Sequence, residues 1–156
     1  MITIVIPIFS LNNEYKENEN VIDIRRKLNK IYAPAISFYK KYIGIKEVDY
    51  EYFLVVDNFK VEVNFGLLKE ENEIQSQLKK AEMPLIKFTI DKNMLSFVRR
   101  IYNDKVEILS LKETFGGYEL LIKDPFNNTI QIECENFEDE NLQYINTSEW
   151  NFYSRM

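Results

Sequence analysis

The chain has no histidine among its 156 residues. This absence excludes Ser-His-Asp and Cys-His catalysis, and it removes the commonest transition-metal ligand. Any metal bound by this chain would therefore depend on oxygen ligands. The same absence removes the side chain that most often works as a general acid or base near neutral pH.

The sequence has a single cysteine, Cys134, so no disulfide can form within the chain. Cys134 lies between Glu133 and Glu135, on the apolar face of a predicted strand. Neighbouring carboxylates oppose formation of a thiolate, which is the reactive form of cysteine. We therefore predict an inert, buried thiol.

Long apolar runs are also missing. No segment approaches the roughly 20 apolar residues that cross a bilayer. The apolar segment Met1–Phe9 is short and lacks both a basic region and a cleavage-site pattern, so a signal peptide is not expected. These features predict a cytoplasmic protein with no membrane partner.

The sequence also lacks the clustered basic residues that would form a basic surface. The formal net charge is −5, and the Lys and Arg residues are scattered. Because phosphate binding needs a basic face, nucleic acid is not a predicted partner. An acidic balance can favour cationic ligands, although a charge this small more commonly serves solubility.

What is present is enough apolar material for a sizeable core, with 46% hydrophobic and 14% aromatic residues. Periodicity predicts the order strand, helix, three strands, and then the same order again. The first set comprises Met1–Phe9, a helix from Pro34 to Ile43, Lys46–Tyr50, Tyr52–Asp57 and Lys60–Phe65. The second set comprises Leu85–Asp91, a helix Asn93–Asn103, Lys105–Leu111 and a closing hairpin.

The closing hairpin is the clearest local signal. Residues 118–123 and 129–133 have strand composition, and Asp124-Pro125-Phe126-Asn127-Asn128 between them is a turn sequence. We accordingly predict an α+β fold in which two βαβββ modules form a curved mixed sheet around a concave cleft, with the helices outside. The predicted boundaries are 1–65 for the first module with an insertion at 10–32, 66–84 for a helical linker, 85–135 for the second module, and 136–156 for a tail.

The tail ends in aromatic residues, Trp150, Phe152 and Tyr153. Aromatic side chains of this kind pack either on their own domain or on a partner subunit. The sequence leaves both alternatives open.

Three segments together resemble the vicinal oxygen chelate superfamily, which includes glyoxalase I, extradiol dioxygenases, and the fosfomycin and bleomycin resistance proteins. Ala35–Ile45 resembles the first helix of that superfamily with its aromatic end and glycine. Leu85–Asp91 resembles the strand that opens the second module. Gly117–Glu133 resembles the final hairpin, whose usual turn is Asp-Pro-x-Gly-Asn.

The resemblance implies where a metal site would lie. Its four ligand positions fall on a residue between Val5 and Pro7, near Glu62, on Leu85 and on Gln131. Only Glu62 and Gln131 have side chains that can coordinate a metal, and two donors are too few for a tight divalent site. The expectation is therefore that the chain uses no cofactor and no metal, with Glu62 and Gln131 as the weak candidate ligands.

Strand parity independently predicts which residues line a cleft. On each strand the polar positions alternate with apolar ones that pack on a helix. The cleft candidates are Glu62, Asn64, Lys87, Gln131 and Glu133, with Tyr118 and Tyr52 as aromatic walls. The alternative for each is a solvated face, and Lys87 could pair with Glu62.

Three functions remain in competition. The first is a metal-free, non-catalytic protein resembling bleomycin resistance proteins that binds a small organic molecule as a homodimer. The second is a metal-dependent lyase, isomerase or dioxygenase using Glu62 and Gln131. The third is a structural or regulatory dimer without a ligand.

Overall fold

A computed structural model describes residues 3–9, 20–68, 84–91, 93–135 and 145–155. The chain divides into two compact units, 1–80 and 81–156. Each unit holds one sheet, of four strands in the first and five in the second. The predicted α+β class and the two βαβββ modules are confirmed. The first part of the predicted insertion, 10–19, lies outside the described residues, as does most of the predicted linker helix.

The first unit follows the predicted order strand, helix, three strands. Its elements are β1 (Thr3–Phe9), α1 (Val21–Phe38) continued by a π-helical turn (Tyr39–Ile43), β2 (Lys46–Val48), β3 (Glu51–Val56) and β4 (Phe59–Leu68). The last strand is longer than predicted, because it extends through Gly66 into the start of the predicted linker.

The strands of the first sheet lie in the order β1-β4-β3-β2. β1 pairs in parallel with β4, so that Ile4 faces Val63 and Ile6 faces Phe65. The other pairs are antiparallel. Since parallel neighbours need a crossover, α1 carries the chain from β1 at one edge to β2 at the other.

One face of this sheet is covered by α1. Val61 and Val63 of β4 are buried together with Ile6 and Ile8 of β1. Rings of the helix meet the same face, because Tyr32 and Tyr39 lie 5.7 and 6.2 Å from Phe65. The opposite face carries the alternate residues of each strand, including Glu62 and Asn64.

Two predicted helical segments form one helix. The sequence has a helical period from Val21, with Ile24, Leu28 and Ile31, which Pro34 was expected to interrupt by starting a second helix. Pro34 instead lies inside α1, which begins at Val21. Proline lacks an N–H and removes one hydrogen bond, but apolar packing on both sides of it outweighs that loss. Ala35, Phe38 and Tyr39 are all buried. The helix ends as predicted at Gly44, whose φ of 84° is the left-handed conformation that favours glycine.

Two tight turns join β2 to β3 and β3 to β4. Asp57 and Asn58 form the predicted turn, with φ angles of 48° and 67°. Asp49 and Tyr50 form a second turn with φ angles of 51° and 65°, and this turn was not predicted. Positive φ at both central positions twists a hairpin in the favoured sense, but it is uncommon for an aromatic residue.

The second unit repeats this arrangement and adds one strand. Its elements are β5 (Ile86–Ile90), α2 (Met94–Asn103), β6 (Ile108–Thr114), β7 (Gly117–Lys123), β8 (Thr129–Cys134) and β9 (Tyr153–Ser154). The strand order is β5-β8-β7-β6-β9, and β5 is parallel to β8. β6 begins three residues later than predicted because Val106 closes the end of α2 by bonding to Ile101.

Leu95, Val98 and Ile101 of α2 are buried as predicted, and Met94 joins them. Tyr102 was predicted to face inward but is 39% exposed. Its ring lies 6.2 Å from Trp150 and 5.9 Å from Phe152. The aromatic tail therefore packs on its own chain, where Tyr153 also extends the sheet beside Leu111.

The closing hairpin matches the prediction closely. One Asp124 carboxylate oxygen accepts hydrogen bonds from the backbone N–H groups of Phe126 and Asn128, at 2.8 and 2.9 Å. Asn127 takes the left-handed conformation with φ 67°. Cys134 at the end of β8 is buried, as predicted.

No helix in the described part of the chain is both long enough and apolar enough to span a bilayer.

Gly117 offers a sharp test of the closing hairpin. Its φ is +149°, and an added Cβ would lie 1.8 Å from the backbone oxygen of Cys134. We expect Gly117→Ala to lower the free energy of unfolding by about 3 kcal/mol, because the strands β7 and β8 must separate to admit the methyl group. Urea denaturation measures the change. Gly116→Ala is the matched control, since its Cβ would meet nothing within 4 Å; equal losses in both variants would contradict the packing described.

Candidate functional site

The first unit contains a cavity of about 330 Å³ that is lined by residues of α1, the Asp49-Tyr50 turn, β3 and β4. Four aromatic residues line it, Tyr32, Tyr50, Tyr52 and Phe65. Three acidic residues also line it, Asp49, Glu51 and Glu62. Leu28, Asn29, Val63 and Asn64 complete the described lining.

Helical spacing explains which residues of α1 line this cavity. Leu28 and Tyr32 are four residues apart, so they lie on the same face of the helix, and Asn29 lies beside them. The Tyr32 ring packs against Phe65. Phe65 in turn meets the Tyr52 ring edge-on, with centroids 5.3 Å apart. The aromatic part of the wall is therefore held by contacts between rings.

The acidic part of the wall comes from the sheet and its turn. Asp49 and Glu51 flank the exposed Tyr50 at the end of the sheet. Glu62 lies on β4, where its carboxylate accepts a hydrogen bond from the Thr3 hydroxyl at 3.5 Å. Because these side chains stand at the rim, the mouth of the cavity carries negative charge.

A neighbouring cavity of about 300 Å³ shares part of this wall. It is lined by Glu51, Tyr52, Lys60 and Glu62. The Lys60 ammonium group lies 4.6 Å from the centre of the Phe53 ring, so this cation already contacts an aromatic face. Glu51, Tyr52 and Glu62 thus connect the two cavities.

Burial changes the acidity of two phenols in the wall. Removal from solvent raises the pKa of Tyr32 above its ordinary value. Burial also raises the pKa of Tyr52, and the nearby Glu47 carboxylate adds to the effect. Both phenols consequently remain protonated at neutral pH and can donate as well as accept hydrogen bonds.

The structure places Glu62, Asn64 and Tyr52 on the cavity wall, and it places Lys87, Gln131, Glu133 and Tyr118 in the second unit. There, the Lys87 ammonium group lies 2.8 Å from the Glu133 carboxylate, which also accepts a hydrogen bond from the Gln131 amide at 2.8 Å. Lys87 thus pairs with Glu133 rather than with Glu62. The three side chains form a polar network on the open face of the second sheet.

Tyr118 occupies the other face of that sheet. It is 3% exposed and shares the buried side of β7 with Leu120 and Ile122. Its strand partner is Cys134, whereas Gln131 is paired with Leu121. The alternation of residues along β7 already indicates that Tyr118 lies on the same side as Leu120 and Ile122. Tyr118 is therefore not part of the candidate site.

The second unit also has a surface groove of about 410 Å³ lined by Ile90, Asn93, Ser96, Phe97 and Arg100. The Arg100 guanidinium group lies 5.3 Å from the centre of the Phe97 ring. The groove is therefore an apolar surface with one cation at its side, unlike the acidic aromatic cavity of the first unit.

The described residues contain no group of three or more His, Cys, Asp or Glu side chains that could hold a metal ion. The two weak candidates belong to different units, Glu62 to the first and Gln131 to the second. Leu85 lies before β5, where its backbone N–H donates to Thr129.

Several lining residues had not been predicted. Leu28, Asn29 and Tyr32 fall within the segment interpreted as an insertion, so their helical spacing was not connected to the site. Asp49 and Tyr50 were assigned to a strand, because an Asp-Tyr pair lacks the Gly or Asn that usually marks a two-residue turn. The burial of Tyr52 beside Phe65 required the tertiary packing of α1.

No protein-family model matches the chain, and no curated protein matches it by sequence. Solved structures do match it. A genomically encoded fosfomycin resistance protein, FosX, from Listeria monocytogenes is 12% identical with a TM-score of 0.51, over 86% of this chain and 91% of that one. A putative glyoxalase family protein from Bacillus anthracis is 13% identical with a TM-score of 0.51, over 87% and 95%.

A mutant of the same FosX protein, in complex with Mn(II) and 1S,2S-dihydroxypropylphosphonic acid, is 14% identical with a TM-score of 0.51, over 93% of this chain and 97% of that one. These structures are members of the vicinal oxygen chelate superfamily. The resemblance predicted from the sequence is therefore confirmed, and it is confirmed at the level of the fold.

The raised pKa values of the wall predict a response to alkaline pH. Above about pH 10 the unfolded chain ionises its tyrosines while folded Tyr32 retains its proton, so the free energy of unfolding falls as pH rises through the folded pKa. Tyr32→Phe should reduce this slope, and Tyr32→Phe with Tyr52→Phe should reduce it further. Urea denaturation at pH values from 7 to about 11.5 measures it. Slopes that are identical in wild type and double variant would contradict the burial of both phenols.

Proposed function

We propose that this chain is a metal-independent, non-catalytic member of the glyoxalase and bleomycin-resistance type of fold that binds a small organic molecule. The observation that carries the proposal is the cavity of the first unit, with its aromatic wall and polar rim. Cavities that bind small molecules have volumes of about 300–1,000 Å³, apolar or aromatic walls and a few convergent polar groups. A volume of about 330 Å³ accommodates a ligand of one or two rings.

The chemistry of the wall supports binding rather than a reaction. The described lining consists of carboxylates, amides, phenols and apolar side chains, and it includes no Ser, Thr, Cys or Lys. Covalent catalysis by a Ser, Thr, Cys or Lys nucleophile is therefore not available from this lining. The protonated phenols and the two Asn side chains can instead orient a ligand by hydrogen bonds.

The donor set supports metal independence. A tight divalent site needs three or four protein ligands in the catalytic case, or six to eight oxygens for calcium. Of the four positions that the superfamily resemblance marks, only Glu62 and Gln131 offer a donor. Glu62 is hydrogen-bonded to Thr3, and Gln131 is hydrogen-bonded to Glu133.

We also infer a homodimer. The tip of the β3–β4 hairpin exposes three apolar side chains, Val55 at 52%, Val56 at 52% and Phe59 at 73%. Clustered exposed apolar side chains mark interaction sites more commonly than isolated ones do. A second copy of the chain is the partner that this proposal assigns to the tip.

Metal analysis and ligand screening test the binding proposal. We expect substoichiometric metal in protein purified without chelators and incubated with Mn²⁺, followed by desalting. A thermal-shift screen with aromatic cations, neutral compounds and anions should give hits, since a ligand at 100 times its Kd stabilises the folded state by about 2.7 kcal/mol.

Stoichiometric metal that Glu62→Ala or Gln131→Ala removes would favour a lyase, isomerase or dioxygenase instead. If the protein holds no stoichiometric metal and no compound in the screen stabilises it, the structural or regulatory dimer is favoured.

Sedimentation velocity tests the homodimer. Phe59→Lys should shift the protein from dimer toward monomer, because it places a charge in the apolar hairpin tip. Phe115→Lys is the matched control, since Phe115 is 94% exposed on a turn of the second unit. A wild-type monomer, or equal effects of both substitutions, would overturn the assigned interface.

A further inference from the structure

The acidic and aromatic side chains that line the first-unit cavity indicate which chemical class of ligand it binds. We propose that this cavity selects organic cations, such as amines or quaternary ammonium compounds that carry a ring. The inference rests on the proposed small-molecule function and deepens it. It follows from the lining residues alone, which combine acidic and aromatic side chains in one wall.

The charge of the wall has one sign. Asp49, Glu51 and Glu62 line the cavity, and its described lining includes no Lys or Arg. Lys60 lines the neighbouring cavity and lies over the Phe53 ring. An anion that entered the first cavity would therefore meet carboxylates without a compensating partner, and that arrangement is unfavourable.

The rings of the wall provide the second attraction. An aromatic face carries partial negative charge and attracts ammonium groups within about 6 Å. Tyr32 and Tyr52 each contact Phe65, with centroid distances of 5.7 and 5.3 Å. Because these contacts hold the rings in place, little side-chain entropy remains to be lost when a ligand binds.

The Asp49-Tyr50 turn brings charge and ring to the same rim. Both residues have positive φ, at 51° and 65°. This conformation is uncommon for tyrosine, and a turn that needed only a reversal of the chain is better served by Asn-Gly. Here the turn places the Asp49 carboxylate and the Tyr50 ring beside each other at the cavity. The combination favours a ligand with a cationic head and an apolar body.

Three ring-matched probes separate charge from shape. Benzyltrimethylammonium, benzyl alcohol and benzoate share one ring and differ in charge. We expect affinity to fall in that order when binding is followed by NMR titration of the isotope-labelled protein. The affinity of benzyltrimethylammonium should also fall several-fold as salt rises from about 0.05 to 0.5 M, because the rim charges are screened.

Two aspartates provide a matched pair of variants. Asp49 and Asp57 both occupy the first position of a two-residue turn, with φ angles of 51° and 48°. Asn tolerates this conformation, so both substitutions preserve the turn. The two sites are separated by the six-residue strand β3, or about 20 Å, which exceeds the Debye length of ~8 Å at physiological salt.

We expect Asp49→Asn to weaken benzyltrimethylammonium binding about three- to fivefold, and Asp57→Asn to leave it unchanged. Thermal unfolding of both variants confirms that they fold. Equal effects of the two substitutions, or benzoate and benzyl alcohol binding as tightly as the cation, would overturn the cation assignment while small-molecule binding stands.

The outcome of the wider screen separates this inference from the proposed function. The inference is still supported if none of the three probes binds but the screen finds mainly cations. The affinity of those cations should then be lower for Asp49→Asn. Hits that are mainly neutral or anionic overturn the inference but not the function. A screen without hits overturns both.

Discussion

The parallel pairing of the first and last strands in each module is the constraint on which the rest of the structure depends. β1 pairs with β4, and β5 pairs with β8, residue by residue. This pairing forces the intervening helix to cross the sheet, and it fixes which face of every strand the helix covers. A shift of one residue in β4 would exchange Val61 and Val63 with Glu62 and Asn64. The buried core and the polar face are therefore set by one register.

The aromatic packing of the first unit follows from that register. With Phe65 on the helix side of β4, rings from α1 and β3 converge on it. Tyr39 is almost fully buried below these contacts, whereas Tyr32 lies nearer the end of the sheet, at the cavity. Residues of α1, the sheet and the Asp49-Tyr50 turn line the cavity together. Core packing and candidate binding site are thus continuous, and they share Phe65 and Tyr52.

The second unit has the same strand and helix order as the first, but its side chains are arranged differently. Its polar face is satisfied internally, since Lys87, Gln131 and Glu133 contact one another. It extends its sheet with β9 and covers Tyr102 with tail aromatics. The unit in which the superfamily resemblance is clearest is therefore not the unit that holds the acidic aromatic cavity.

The sequence by itself determined the α+β class, the two modules, the closing hairpin and the burial of Cys134, because each depends on local periodicity or on turn residues such as Asp124. It also determined that histidine chemistry is absent. Parity along β4 predicted that Glu62 and Asn64 lie on the polar face of that strand, opposite Val61 and Val63. Only the tertiary structure decided that α1 continues unbroken through Pro34, since packing on the sheet outweighs the bond that proline removes. The structure likewise decided that Tyr118 faces the core and that Tyr32 and Asp49 share a cavity. The last two residues are 17 positions apart and come from a helix and a turn, and only the register of the sheet brings such elements together.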